Sequence, residues 1–315
     1  RRAPLQCCAM PFVKLCSLTL VICLLAACER PSPASGKSRI EATGSLSDQA
    51  INEASGMQAS FSYPGDFFVH NDSGRTVIYA TNAEGRDLGS VTLVPARAVD
   101  WEDITSIPAG RGRWLVIGDI GDNLARRPYV SLYFAKEPLP GKKDRYDGIL
   151  ALEHRVDLTY PDGPRDCESL AYDPAGQQLL LISKRDRPAH LYAVGLDAAL
   201  SQGRVELEYR GRIWPLRPPA DADRDHWAGR WDWISQPTGM DINADGSEAV
   251  VLTYRSLYRF HRWSGESWLH ALQQKPQEII GPPGPQNEAV AYAKDGRSVL
   301  VTSENLPAMI YRVRF

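Results

Sequence analysis

From Ser38 onward the chain is built of short runs in which apolar and polar residues alternate, broken by Gly, Pro, Asn and Asp. This period-two pattern, with turn residues between the runs, predicts strands and tight turns. Helical spacing is scarce; "LDAAL" (Leu196–Leu200) allows about one turn. Three stretches align without a gap: "ESLAYDPAGQQLLLISK" from Glu168, "TGMDINADGSEAVVLTY" from Thr238 and "EAVAYAKDGRSVLVTSE" from Glu288. Each reads as an alternating strand, a Gly-containing turn and an apolar strand. Looser copies begin at Ser55 ("SGMQASFSYPGDFFVHND") and Glu102 ("EDITSIPAGRGRWLVIGD").

Every copy is followed by a third run with an aliphatic-Tyr pair, centred on Tyr79, Tyr133, Tyr192, Tyr258 and Tyr311. A fourth run follows four of them: "LGSVTL", "LEHRVDLTY", "VELEYRGRIW" and "QEII". The last copy ends at Phe315 without one, and "SRIEATGSL" (Ser38–Leu46) has the alternation to supply it. A repeat unit of this kind cannot bury both faces alone, so neighbours must pack radially. The prediction is an all-β, five-bladed β-propeller over residues 39–315, its N-terminal strand closing the last blade and leaving no free edge. The alternatives are a β-sandwich, which does not predict the matched Tyr strands, and a six-bladed ring. A sixth blade would have to lie in the irregular stretch between Ser201 and Ser235.

The alignment superposes Ser55, Glu102, Glu168, Thr238 and Glu288. All carry side-chain oxygens, and in a propeller the first strand of each blade lines the central channel. Carboxylates facing one another across a narrow channel repel. An axial hard cation resolves this, and an all-oxygen donor set without sulfur or imidazole points to calcium. The alternative role for the same residues is to hydrogen-bond backbone amides where each blade begins.

The order Ser, Glu, Glu, Thr, Glu resembles that of the calcium-activated nucleotidases, the five-bladed apyrases. "HNDSG" (His70–Gly74) and "ISKR" (Ile182–Arg185) are similar to loops of that family. This resemblance implies a calcium held on the axis by Ser55, Glu102, Glu168, Thr238 and Glu288. The whole chain resembles bacterial propeller lipoproteins with "DWED" and "GDIGDN" signatures, here Asp100–Asp103 and Gly118–Asn123.

The second strands end in "HNDSG", "GDIGDN", "SKRDR", "TYRS" and "TSEN", which should gather at one face of the ring. The candidate ligand-binding residues are Asp72, Asp119, Asp122, Asn123, Lys184, Arg185, Arg255 and Glu304, with Tyr254 beside them. Carboxylates facing Lys and Arg suit an anionic ligand such as a phosphate; each residue singly also fits a turn or solvated role. "PPADADRDHWAGRWDWISQ" (Pro218–Gln236) reads as an inserted loop whose Trp227, Trp231 and Trp233 pack on a blade edge or stack on a sugar. Its Asp221, Asp223 and Asp225 begin like a calcium loop, but His226 stands where the turn glycine belongs. The six histidines lack zinc-ligand spacing. No nucleophile elbow, phosphate loop or dinucleotide fingerprint is present.

A formal net charge of -2 gives no basic face for nucleic acid. The N-terminal region reads as a secretory leader, residues 1–27, with Met10 the expected start. "LAAC" (Leu25–Cys28) resembles the lipobox of bacterial lipoproteins, which implies cleavage before Cys28 and its lipidation. Glu29 after it implies an outer-membrane destination, facing the periplasm or the surface, and residues 28–38 form a tether. Removal of the leader leaves Cys28 and Cys167, which excludes a disulfide framework. The expected protein is a monomeric, lipid-anchored envelope propeller with a central calcium and a polar mouth for a ligand or partner, without catalysis. The alternative is a calcium-dependent hydrolase of phosphate esters or anhydrides.

Overall fold

A computed structural model describes residues 37–315 apart from 225, 226, 228 and 230. The leader, Cys28 and most of the tether lie outside the described residues, as do Asp225 and His226. Among the described residues the first element is β1 (Arg39–Ser45), and antiparallel meanders follow it. The first meander comprises β2 (Ala54–Ala59), β3 (Asp66–Asn71), β4 (Val77–Asn82) and β5 (Gly89–Val94). The second comprises β6 (Trp101–Ala109), β7 (Gly112–Asp119), β8 (Val130–Lys136) and β9 (Ile149–Thr159). The third has β10 (Cys167–Asp173), β11 (Gln178–Ser183) and β12 (His190–Gly195), then β13 (Arg204–Glu206) and β14 (Glu208–Arg212). The fourth has β15 (Pro237–Ile242), β16 (Glu248–Thr253), β17 (Ser256–His261) and β18 (Gln277–Ile280). The fifth, β19 (Asn287–Tyr292), β20 (Ser298–Ser303) and β21 (Met309–Arg314), is completed by β1, which pairs with β21 from Arg39↔Arg314 to Ser45↔Met309.

The first strands neighbour one another in a closed circle, β2 beside β6, β6 beside β10, β10 beside β15, β15 beside β19, and β19 back beside β2. A hydrophobic cluster fills each gap between adjacent meanders. This explains the apolar second strands. In β11, Leu179 and Leu181 enter one cluster while Leu180 and Ile182 enter the next, so both pleat faces are buried. The third-strand tyrosines Tyr79, Tyr133, Tyr192 and Tyr258 are buried in the same gaps, and Tyr311 is half-buried. The molecule is an all-β, propeller-like ring, as the repeats predict. Among the described residues no helix is long and apolar enough to cross a membrane.

Two features depart from the sequence pattern. "VELEYRGRIW" is not one strand. Leu207 turns into the cluster between the second and third meanders, its N–H donating to Thr159 O at 2.8 Å. The break sends β13 to pair in parallel with β9, while β14 completes the third meander. At its other end β9 starts three residues before the predicted run and pairs in parallel with β5, Thr92↔Ile149 to Val94↔Ala151. The outer edges of the first two meanders are thereby joined.

Candidate functional site

Each first strand carries a register shift against its second strand, between Ala54 and Gly56, Trp101 and Asp103, Cys167 and Ser169, Pro237 and Gly239, and Asn287 and Ala289. The residue skipped at each bulge is Ser55, Glu102, Glu168, Thr238 or Glu288. A bulge frees one residue from the ladder and re-aims its side chain. The positions aligned in sequence are therefore equivalent in the fold, and all are buried.

Their side chains divide into two kinds. The hydroxyls link neighbouring meanders through backbone carbonyls: Ser55 Oγ donates to Glu102 O and Thr238 Oγ1 to Asn287 O, each at 2.8 Å. The carboxylates gather around a cation supplied by the chain. Lys184, from the end of β11, is ion-paired with Glu168, and its Nζ lies 5.4 Å from the Tyr254 ring centroid. Burial opposes that charge, but Glu168, Tyr254, Glu102 and Glu288 outweigh it and hold the ammonium well above its ordinary pKa. Burial raises Glu168 to about 7 against the pull of Lys184. Burial and Glu168 push Glu102 well up, and burial with Glu304 does the same to Glu288.

Further along the first strands the hub is closed by two more carboxylates. Asp103 accepts from Ile104 N (2.9 Å), from Leu170 N on β10 (2.8 Å) and from Met240 N on β15 (3.1 Å). One side chain thus ties three first strands. Asp241 accepts from Ile242 N (2.8 Å) and from Tyr292 N on β19 (2.7 Å), and burial raises it to about 7. His70 packs edge-on to Trp101 at 5.5 Å, and burial lowers it to about 4. Gly56 permits this approach: a Cβ there would lie 2.4 Å from His70 Nε2 and 2.9 Å from the Asp103 backbone.

Toward the mouth, Asp100 and Asp166 join Glu102, with one oxygen from each lying within 4.8 Å of the others. Gly121 makes room, since a Cβ would lie 2.3 Å from Glu102 Oε1 and 2.5 Å from Asp100 Oδ2. Burial, Asp166 and Asp72 raise Asp100 to about 6. Asp166 accepts from Asp122 N at 2.8 Å and pairs with Arg185 Nε at 2.7 Å. Arg185 also bonds Asn123. This all-oxygen group has the donor chemistry of a hard-cation site. The aligned copies start at the bulge residues, which leaves Asp100 and Asp166 outside them. Both stand two residues before a bulge, and the equivalents are Glu53, Gln236 and Gln286. A second tier of side-chain oxygens therefore repeats in every copy, and that is the signal by which they are found.

The other predicted mouth residues have varied settings. Asp119 Oδ1 accepts from Asp100 N (3.1 Å) and pairs with Arg127 (2.8 Å). Asp122 fastens its own loop, accepting from Arg126 N (2.9 Å) and Arg127 N (2.7 Å). Asp72 is half-buried, and its backbone oxygen accepts from Trp101 N at 2.6 Å. Glu304 accepts from Gln286 Nε2 at 2.5 Å, beside Glu288. Arg255 turns away from these groups. It is buried against Asp223 of the inserted loop at 2.7 Å and lines a separate cleft of about 680 Å3 with Ile40, Trp227 and Tyr311. In the same loop Trp231 stacks under Arg224 at 4.3 Å.

No protein-family model and no curated protein matches the chain. Solved structures similar to it include Raptor of Chaetomium thermophilum, at 12% identity and a TM-score of 0.41 over 84% of this chain and 20% of that one. The chain thus spans a fifth of the Raptor chain's length. Others are U3-55K, at 8% identity and a TM-score of 0.43 over 88% and 98% of the two chains, and a nidogen/laminin complex, at 12% identity and 0.44 over 80% and 73%.

Proposed function

We propose that this chain is a five-bladed envelope propeller, anchored to the outer membrane through a lipid on Cys28. Its mouth binds a cation and an anionic ligand or a partner without turning it over. The anchor rests on the "LAAC" leader, and the blade number on the five meanders and their circle of first strands. The observation that carries the binding role is the charge at the mouth. Asp100, Glu102 and Asp166 converge within 4.8 Å around space left by Gly121, with Lys184 and Arg185 beside them. Lys184 neutralises Glu168, and Ser55 and Thr238 are engaged with backbone. A calcium held by Asp100, Glu102 and Asp166 would relieve the remaining repulsion, with Asp119 and Asn123 nearby.

Calorimetric titration of the metal-free protein with calcium tests this reading. Saturable binding lost in Asp100→Asn and Glu102→Gln is expected; no heat from wild type overturns the cation. A hydrolase is the second reading, favoured by Asp100, whose pKa of about 6 suits proton transfer near neutrality. It requires turnover of a phosphate ester or anhydride that a chelator and Asp119→Ala both abolish.

A further inference from the structure

At the rim between the first two meanders lies a cavity of about 230 Å3, lined by Arg97, Asp119, Arg127, Tyr129, Tyr133 and Arg155 among others. Three guanidiniums face one carboxylate there, a surplus of 3 - 1 = +2 among the lining charges. Arg127 engages Asp119 Oδ1 at 2.8 Å and Gly121 O at 2.6 Å. Arg155 reaches Asp157 at 2.7 Å and Ser131 Oγ at 3.2 Å, and its guanidinium carbon lies 5.9 Å and 5.7 Å from the Tyr129 and Tyr133 ring centroids. Arg204 stacks on Tyr129 at 4.8 Å and reaches the same Asp157 at 3.4 Å, so counting this carboxylate and this fourth guanidinium together leaves the surplus unchanged. Arg97 is exposed on the loop after β5 and ion-pairs with no carboxylate among the described residues. Asp100 lies on the hub side of Asp119 and does not line the cavity.

Like charges brought together repel unless an anion joins them. Guanidiniums fixed by packing and ion pairs form a ready fork for oxyanions. The cavity is smaller than the usual range for sites that enclose a whole ligand, about 300–1,000 Å3. It suits a compact head group, and the surplus charge matches a dianion. We propose that this rim pocket binds a phosphomonoester group, positioned by Arg97, Arg127 and Arg155. The binding does not require the cation proposed at the mouth, so the two readings can fail separately.

The test is titration with inorganic phosphate in the presence of EDTA, at low and high salt, followed by backbone amide NMR shifts. A parallel arm measures sedimentation with neutral vesicles that do or do not contain phosphatidic acid. Saturable binding with shifts at Arg97, Tyr129 and Ser131, weakened about tenfold in Arg97→Ala and in Arg155→Ala, supports the proposal. Arg97 has no ion-pair partner among the described residues, so its variant should melt with wild type, and a matched melting temperature separates lost binding from lost fold. Vesicle binding that requires phosphatidic acid and is weakened by the same variants places the group on a lipid; phosphate binding without it places the group on a soluble ligand. Absence of saturable binding in both arms, or binding that both variants leave unchanged, overturns the proposal.

Discussion

Lys184 brings one positive charge to a group of buried carboxylates contributed by three first strands, and that arrangement makes it testable. Removing one partner of a buried ion pair leaves an uncompensated charge and typically costs about 3–5 kcal/mol. Lys184→Met should therefore lower stability by that order at pH 8, read from urea unfolding. At pH 5 the loss should shrink, because Glu168, already raised to about 7 with the ammonium present, takes up a proton instead. Equal losses at both pH values would show that Lys184 contributes packing and not charge. The bulge carboxylates were legible in the sequence because the repeat aligned them. The role of Lys184 was not: it closes the end of an apolar strand and reads as a ligand-binding residue of the mouth. Only the closing of the ring brings it beside Glu168, Glu102 and Glu288. Arg255 shows the converse, a mouth residue by alignment that the inserted loop draws into a pair with Asp223.

At the scale of elements, strand positions were legible because burial on two faces writes itself into side chains, and Gly and Asp-Gly turns separate the runs. Edge pairing is written in backbone groups instead. That is why the parallel joins of β5 and β13 to β9 left no mark in the pattern, and why the break at Leu207 was hidden inside an apparently continuous run. The closure by β1 was legible because the fifth copy lacked a fourth strand. Six residue pairs join β1 to β21, Thr43 Oγ1 donates to Ala83 O, and Leu46 N donates to Ala308 O at 2.8 Å. A chain beginning at Ser47 should lose several kcal/mol relative to one beginning at Lys37, at about 0.5–1.5 kcal/mol for each hydrogen bond removed. It should also self-associate through the bared edge of β21. Melting curves and size-exclusion profiles of the two chains check this. Identical melting would show that the ring is held by its five interior clusters alone.

The whole molecule concentrates acids at its hub, and their titration should govern its stability. Asp100 is raised to about 6, Glu168 and Asp241 to about 7, and Glu102, Asp103 and Glu288 well above their ordinary values, with burial the largest cause in every case. In the unfolded chain these groups titrate near 4. Between about pH 4 and 7 the native state therefore binds more protons than the unfolded state, and stability falls as pH rises. His70 acts in the opposite sense. Lowered to about 4, it binds fewer protons than in the unfolded chain up to about 6.5, but it is one group against several. Surface carboxylates held down by arginine or local hydrogen bonds, such as Glu41, Asp245 and Glu278, lose their contribution only below about pH 4.5. Stability in a chelating buffer should thus peak near pH 4.5 and decline toward pH 7, each extra native proton contributing about 1.4 kcal/mol per pH unit. Calcium, if it occupies the Asp100 group, should flatten the decline, because it favours the ionised carboxylates that burial disfavours. Urea unfolding from pH 4 to 9, with and without calcium, checks both statements. A curve that rises from pH 5 to 7 in the chelator would mean that the hub carboxylates are solvated or paired well enough to ionise freely, and the case for a cation among them would go with it.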